Sequence, residues 1–288
     1  MNDNDIVVEA WNTVLFDKFA RFKHLIVAGL SGHSDELLSR RLYRTGERVL
    51  DVGCGFGDTT IRIAGEVGPT GLAVGVDCAE NFVRASEQDA LTSGVRNASF
   101  FAADVQMDDL RGPYDQAFAR FGTMFFNLPG AALRNIRMAL KPGGALNQIV
   151  WRKREDNPWL HEAELRVREI VPVKSHEEAN EVHCGPGPFS MSGPDMVSSM
   201  MRSAGFEGIT FERFDTDICI GRDLDEAVEF AMALGPAGEI IRLAGPEGEE
   251  LKPQVVVALR ETLSRYAGTN GVWAPSSTWF IAARNPNH

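Results

Sequence analysis

Residues 48–58 read Arg48-Val49-Leu50-Asp51-Val52-Gly53-Cys54-Gly55-Phe56-Gly57-Asp58. A short apolar run is followed by three alternating glycines. Thr59 to Val67 comes next, with Ile61, Ala64 and Val67 at helical spacing. This is a buried strand, a tight turn and a helix, the signature of a ligand-binding strand–helix junction. Glycines let the backbone turn sharply and let a ligand approach where a Cβ would block it. The dinucleotide fingerprint wants a further glycine at position 58, and that residue is Asp58. No Gly-Lys-Ser/Thr follows, so the loop is not a phosphate-gripping P-loop. Asp51 sits two residues before the first glycine; it is awkward beside a pyrophosphate and suits a ligand with a cationic amino group.

The same alternation continues outward. Leu72–Val76 reads as a second strand, followed by a helix near Ala79–Thr92. Ala98–Ala102 and Tyr114–Ala119 read as a third and a fourth strand. The clearest helix begins at Pro129, carries Leu133, Ile136 and Leu140 on one face, and ends at Pro142-Gly143-Gly144. Ala145–Trp151 is a fifth strand. Apolar strands alternating with helices imply an α/β fold, a mostly parallel sheet with helices on both faces. Before this block, residues 1–45 read as helical, with a break marked by Gly29, Gly32 and Ser34. After it come helices at Asn157–Val171 and Pro194–Ala204, a loop at Val173–Ser192 and a long strand at Gly208–Ile220. Residues 223–266 are helical and broken at Gly235-Pro236 and Gly245-Pro246, and Gly271–Ala283 closes as a strand.

Composition narrows the function classes. The 288 residues carry 29 Lys and Arg against 40 Asp and Glu, a net charge of −11, which disfavours a nucleic-acid binder. No apolar run approaches the ~20 residues of a spanning helix. The start MNDNDIVVEA lacks the basic and apolar regions of a signal peptide, and Cys54, Cys78, Cys184 and Cys219 form no Cys-x-x-Cys pair. These features predict reduced thiols and a cytoplasmic location.

Two further acids follow the glycine loop. Asp77 ends the second strand 20 residues after Gly57, where a carboxylate can accept both hydroxyls of a ribose. Asp104 lies just past the third strand and can accept from an adenine amino group, with the backbone of Val105 beside it. An acid at the end of a strand can instead cap the next helix, and Asp58 and Thr59 fit a cap as well as a ligand contact. The ordered set describes a site for a nucleoside with a positively charged tail.

On these residues the chain resembles the class I S-adenosylmethionine-dependent methyltransferases: VLDVGCGFG (49–57), VGVD (74–77), AADV (102–105) and ALKPGGAL (139–146). Residues 118–144, Asn157-Pro158-Trp159, Gly185-Pro186-Gly187-Pro188-Phe189 and Leu224–Val228 are similar to a branch related to the ubiquinone/menaquinone biosynthesis C-methyltransferases. The resemblance implies a doubly wound, seven-stranded sheet whose last strand is antiparallel. It implies an N-terminal helical cover (1–45) and a methyltransferase domain (46–288), with helical insertions near 155–180 and 222–268 closing over the substrate.

It implies S-adenosylmethionine as cofactor, with S-adenosylhomocysteine as product. Asp51, Gly53, Cys54, Gly55 and Thr59 would surround the methionine part. Asp77 and Cys78 would lie at the ribose, Asp104 and Val105 at the adenine, and Trp11 and Arg120 nearby. The expected reaction is in-line methyl transfer to a small molecule. Phe121, Met124, Phe125, Phe126, Trp151 and Trp159 would line an apolar acceptor pocket, and His161 is the candidate acid or base.

Ala119-Arg120-Phe121-Gly122 replaces the Asn/Asp-Pro-Pro-Tyr segment of base-amino methylases. Arg120 also stands where catechol-type enzymes place a magnesium-binding acid, so no metal is expected. The thiols do not form an arsenite-binding set, and His176, His183 and Cys184 do not read as a metal site. A nicotinamide-dependent oxidoreductase and a non-catalytic cofactor-binding protein are the rival readings. A monomer or a homodimer is expected.

Overall fold

A computed structural model describes residues 3–40, 42–172 and 187–287. Five parallel strands form the sheet's first part: β1 (Arg48–Val52), β2 (Leu72–Asp77), β3 (Ala98–Ala102), β4 (Tyr114–Arg120) and β5 (Leu140–Trp151). Two long strands complete it, β6 (Glu207–Gly221) and β8 (Gly271–Arg284); a two-residue strand, β7 (Ala267–Gly268), pairs only with β8. The order is β3-β2-β1-β4-β5-β8-β6, with β8 antiparallel to both neighbours. The sheet is therefore the expected doubly wound one, with the two-residue β7 added. The chain reverses its winding direction between β1 and β4. In open α/β sheets, ligands bind beyond the carboxyl ends at such a switch point.

Val49, Leu50 and Val52 are wholly buried because helices cover both faces. α4 (Asp58–Val67) lays Ile63, Ala64 and Val67 against one face, and α6 (Pro129–Ala139) lays Ala132, Leu133 and Ile136 against the other. α5 (Glu80–Thr92) and α8 (Pro194–Ser203) complete the layers.

β6 and β8 outrun their neighbour. β5 pairs with β8 only as far as Trp151 opposite Thr278, while β6 continues to pair with β8 from Ser277 to Val272. This two-stranded ribbon overhangs the carboxyl end of the sheet. The remaining helices gather there: α1 (Asp3–Ala10), α2 (Phe16–Arg21), α3 (Ser31–Ser39), α7 (Pro158–Ile170), α9 (Leu224–Leu234), α10 (Pro236–Ala244) and α11 (Pro246–Leu263). Phe230 of α9 joins them, stacked on Trp159 of α7 at 6.1 Å and edge-on to Phe22 at 5.4 Å.

The Gly-Pro pairs at 235–236 and 245–246 separate α9, α10 and α11 as expected. The break expected at Gly29 to Ser34 falls at the turn of Leu30, just after Gly29. Wide helical turns occupy Trp11–Leu15 and Leu25–Gly29, and α3 runs through Gly32 and Ser34. Gly29 is a contact: a Cβ there would lie 2.5 Å from the Cys219 carbonyl oxygen of β6. β5 also begins earlier than expected, at Leu140, because Tyr114 pairs with it across a bulge.

Candidate functional site

The glycine loop is held from below. The N–H groups of Gly53 and Cys54 both donate to the Val76 carbonyl, at 2.8 and 3.1 Å, which bends the chain over the end of β2. Gly53 has φ +66°, and a Cβ on it would lie 2.9 Å from Cα of Gly122. The two backbones thus touch at the switch point, where no side chain fits. Gly55 has φ +53°, and a Cβ there would meet nothing within 4 Å, so its free side is open to a ligand. Cys54 turns inward: a Cβ on Gly75 of β2 would lie 2.9 Å from its sulfur, and burial pushes its thiol pKa well up. The Cys54 side chain is therefore floor, and its backbone is what the loop presents.

Asp51 is buried beneath α4. Its Oδ2 accepts from the hydroxyls of Thr59, at 2.7 Å, and Thr60, at 2.6 Å. Its Oδ1 is buried with no hydrogen-bond partner among the described residues. Burial, only partly offset by the two threonines, lifts its carboxyl to about pKa 6. Thr59 thus serves Asp51 and does not cap α4, whose N-cap is Gly57.

Asp77 accepts from Gly55 N–H at 3.0 Å with one oxygen and from Ala79 N–H at 3.1 Å with the other. It ties the glycine loop to the start of α5, and burial raises its pKa against those bonds. Cys78 lies between Asp77 and Asp104; burial, then their charges, push its thiol up. Asp104 accepts from the backbone and side chain of Gln106, at 2.9 and 3.0 Å. Val105 packs its side chain in the core.

The side of the glycine loop toward β4 and β5 is aromatic. Arg120 ends β4; its Nη2 donates to Asp58 at 2.7 Å and its Nη1 to Ser34 of α3 at 3.2 Å. Phe121 follows in the left-handed region, with φ +60°, and stacks on Trp151 at 4.4 Å and 18°. Met124 is buried, and its sulfur accepts from Trp151 N–H at 3.4 Å. Phe125 and Phe126 are half-buried against the core. Trp11 packs edge-on to Phe125 at 5.2 Å and tilted to Phe82 at 6.3 Å, so the N-terminal helices roof the loop. Phe16, Phe56 and Phe82 extend that roof.

Two expected pocket residues lie elsewhere. Trp159 is buried against Phe230 in the helical cap, its Nε1–H without a partner among the described residues. His161 lines a shallow depression of about 500 Å³ with Lys153, Arg154, Glu155, Glu164, Leu165, Arg168, Phe189 and Ser192. None of the glycine-loop residues borders it. Glu164 is buried there between Arg154 and Arg168. His176, His183 and Cys184 lie outside the described residues.

Sequence reading missed His33. It is fully buried on α3, with Nε2 2.8 Å from Ser276 Oγ and Nδ1 3.2 Å from Thr278 Oγ1. Burial, then the nearby Arg120 charge, lower its pKa to about 3, so it is neutral. Its partners lie more than 240 residues away in sequence, and only the polar run Ser276-Ser277-Thr278 in an otherwise apolar strand hinted at a polar contact there.

A family model described as the ubiE/COQ5 methyltransferase family matches residues 33–222. The demethylmenaquinone methyltransferases of Staphylococcus carnosus (strain TM300) and Staphylococcus aureus (strain JH9) are each 26% identical to the chain, over 59% of its length and 72% of theirs. Among solved structures, the YcgJ protein of Bacillus subtilis matches with a TM-score of 0.54 at 18% identity, covering 88% of this chain and 98% of its own. Haemonchus contortus phosphoethanolamine N-methyltransferase 2, solved with S-adenosyl-L-methionine, matches with a TM-score of 0.54 at 16% identity. That match covers 99% of this chain and 57% of the other. The structural likenesses are likenesses of fold.

Proposed function

The chain belongs to the ubiE/COQ5 methyltransferase family and is an S-adenosylmethionine-dependent methyltransferase; on that premise we propose that its acceptor is a small, apolar or aromatic molecule bound at the ends of β4 and β5. Family membership displaces the nicotinamide-dependent reading. The observation that carries the acceptor class is the Phe121–Trp151 stack beside the glycine loop. Rings gathered at those strand ends, Trp151 buried and Phe121 half-buried, favour a flat hydrophobic ligand over a sugar or peptide. The relatives' names make a quinol nucleus the first acceptor to try.

The residues fit the cofactor. The unpartnered Oδ1 of Asp51 suits an ammonium group, and the open side of Gly55 leaves room for a chain to pass. Asp51 would hold the amino group, directly or through water, and the backbones of Gly53, Cys54 and Gly55 the methionine chain. Asp77 retains lone pairs for the ribose hydroxyls, and Asp104 and Val105 would border the adenine. Thr59 supports Asp51, Cys78 lies between the ribose and adenine acids, Arg120 closes the site toward the acceptor, and Trp11 roofs it.

S-adenosylmethionine, when bound, supplies a methyl group on a sulfonium that a nucleophile displaces in line. The chain's main contribution is alignment: the ring wall orients the acceptor toward the cofactor pocket. The helices of the N-terminal cover and of residues 222–268 would act as a lid that excludes water. His161, in its charged depression, is not where a base for this acceptor would be sought.

Calorimetry with S-adenosylhomocysteine, followed by methyl transfer from labelled donor to naphthoquinols, sugars and peptides, tests the proposal. Label in the quinols alone is expected. Label chiefly in sugars or peptides would sink the apolar-acceptor reading. Cofactor binding without transfer to any acceptor would favour a binding protein.

A further inference from the structure

We infer that His33 is a positioning residue for the acceptor end of the site, fixing the Phe121–Trp151 stack against the β6–β8 ribbon. The inference rests on the reading of that end as the acceptor pocket. The imidazole lies edge-on to Phe121 at 5.8 Å, to Trp151 at 5.8 Å and to Phe214 of β6 at 5.6 Å. Edge-to-face contact sets a ring's orientation as well as its burial. One side chain of the N-terminal helices thus lies against the ends of β4 and β5 and the middle of β6, and its two nitrogens reach hydroxyls of β8.

The chemistry of that position demands more than bulk. Ser276 Oγ is also 2.7 Å from the Thr216 carbonyl, and Thr278 Oγ1 is 3.0 Å from the Phe214 carbonyl. Each hydroxyl has one proton to give. A neutral imidazole has one N–H and one lone pair, so it donates to one hydroxyl, and its second bond forms only when the other hydroxyl turns its proton from the strand carbonyl to the ring. Bonds from both nitrogens to hydroxyls of one strand hold the ring in one orientation. A phenylalanine would fill the space but leave both hydroxyls without this partner.

Phe121 is what the ring steadies. Its left-handed backbone is one that L side chains rarely adopt, and such a residue persists only where its surroundings over-determine it. His33 lies perpendicular to its ring and Trp151 parallel to it. Gly122, next in the chain, lies against Gly53, where the acceptor wall crosses the glycine loop. Ser34, next to His33, bonds Arg120 and ties α3 to the same strand end.

The test compares wild type with His33→Phe and His33→Gln. Thermal melts establish folding and calorimetry gives S-adenosylhomocysteine affinity. Menadione (2-methyl-1,4-naphthoquinone) is the acceptor probe, read by quenching of tryptophan fluorescence with the homocysteine product bound. His33→Phe is expected to fold, to keep cofactor affinity within about threefold, and to lose about tenfold in menadione affinity. His33→Gln, which restores a donor and an acceptor, should recover part of that loss. Menadione affinity within about twofold of wild type in His33→Phe would overturn the inference.

Should wild type bind the product but not menadione, the acceptor reading fails. The near-UV circular dichroism of Trp151, identified by difference from Trp151→Phe, then decides on His33. Loss of that band in His33→Phe upholds the positioning role, and its retention overturns it. Should His33→Phe fail to fold, Thr278→Val makes the same comparison from the opposite side of the ring.

Discussion

The guanidinium of Arg120 and the carboxylate of Asp58 meet at 2.7 Å, with the Arg120 side chain 8% exposed and that of Asp58 24%. The pair bridges the glycine loop from the end of β4 to the first turn of α4. Its two members face unequal penalties if left alone. Asp58 keeps contact with water and with the positive end of a helix, which favours a carboxylate.

Removing Asp58 should therefore cost more than removing Arg120. Asp58→Ala leaves a buried cation short of its partner and should destabilise by about 2–4 kcal/mol; Arg120→Met should cost about 1 kcal/mol. Urea denaturation of both variants measures this, and equal losses would contradict the argument from burial.

Asp77→Ala should weaken S-adenosylmethionine binding by about 1.5–3 kcal/mol, the range for hydrogen bonds to a charged group. It should also lower the melting temperature, because Gly55 N–H and Ala79 N–H lose their acceptor. Calorimetry that finds unchanged affinity would remove Asp77 from the ribose.

Asp51 gives stability a defined pH dependence. Its carboxyl is raised from 3.8 to about 6, so between those values the native chain holds a proton that the unfolded chain has lost. The stabilisation is complete below about pH 4 and is lost as pH rises through about 6; above that the ionised group costs on the order of 2–3 kcal/mol. Asp51→Asn does not titrate. Its stability relative to wild type should rise by about that amount from pH 4 to pH 7.5, while its affinity for the cofactor falls. A stability difference independent of pH would show that Asp51 is not held above its ordinary range.

Two glycines in helical segments should respond in opposite directions. Gly29→Ala forces a Cβ to within 2.5 Å of the Cys219 carbonyl and should cost about 1–3 kcal/mol. Gly65, inside α4, has nothing within 4 Å of its Cβ position, and Gly65→Ala should stabilise by about 0.5–1 kcal/mol. A raised melting temperature in Gly29→Ala would refute the contact assigned to Gly29, and a lowered one in Gly65→Ala the open space assigned to Gly65.

Much of this is legible in the sequence because it is local. A strand buried on both faces must be a continuous apolar run, as at Val49-Leu50 and Val74–Val76, and Pro or Gly-Pro marks a helix start at Pro129 and Gly235-Pro236, although α11 runs through Pro253. The glycine spacing and the acids at 51, 77 and 104 were readable for the same reason: the turn that needs the glycines is made by the neighbours that carry them.

Contacts between distant segments are not written that way. Gly29 reads only as a helix breaker, although β6 lies across it, and His33 carries no local signal of its role, because Ser276 and Thr278 arrive from the last strand. Trp159 and His161 stand two residues apart on one helix, so the sequence offers both to the same pocket. The fold rotates them apart, one to Phe230 and one to a charged depression, because residues two apart on a helix do not share a face. Local chemistry in the chain determined the sheet, the loop and the acids. Only tertiary structure decided which side chains the overhanging ribbon and the helical cap bring to the acceptor end, since burial and pairing there depend on surfaces that exist only after the chain has closed on itself.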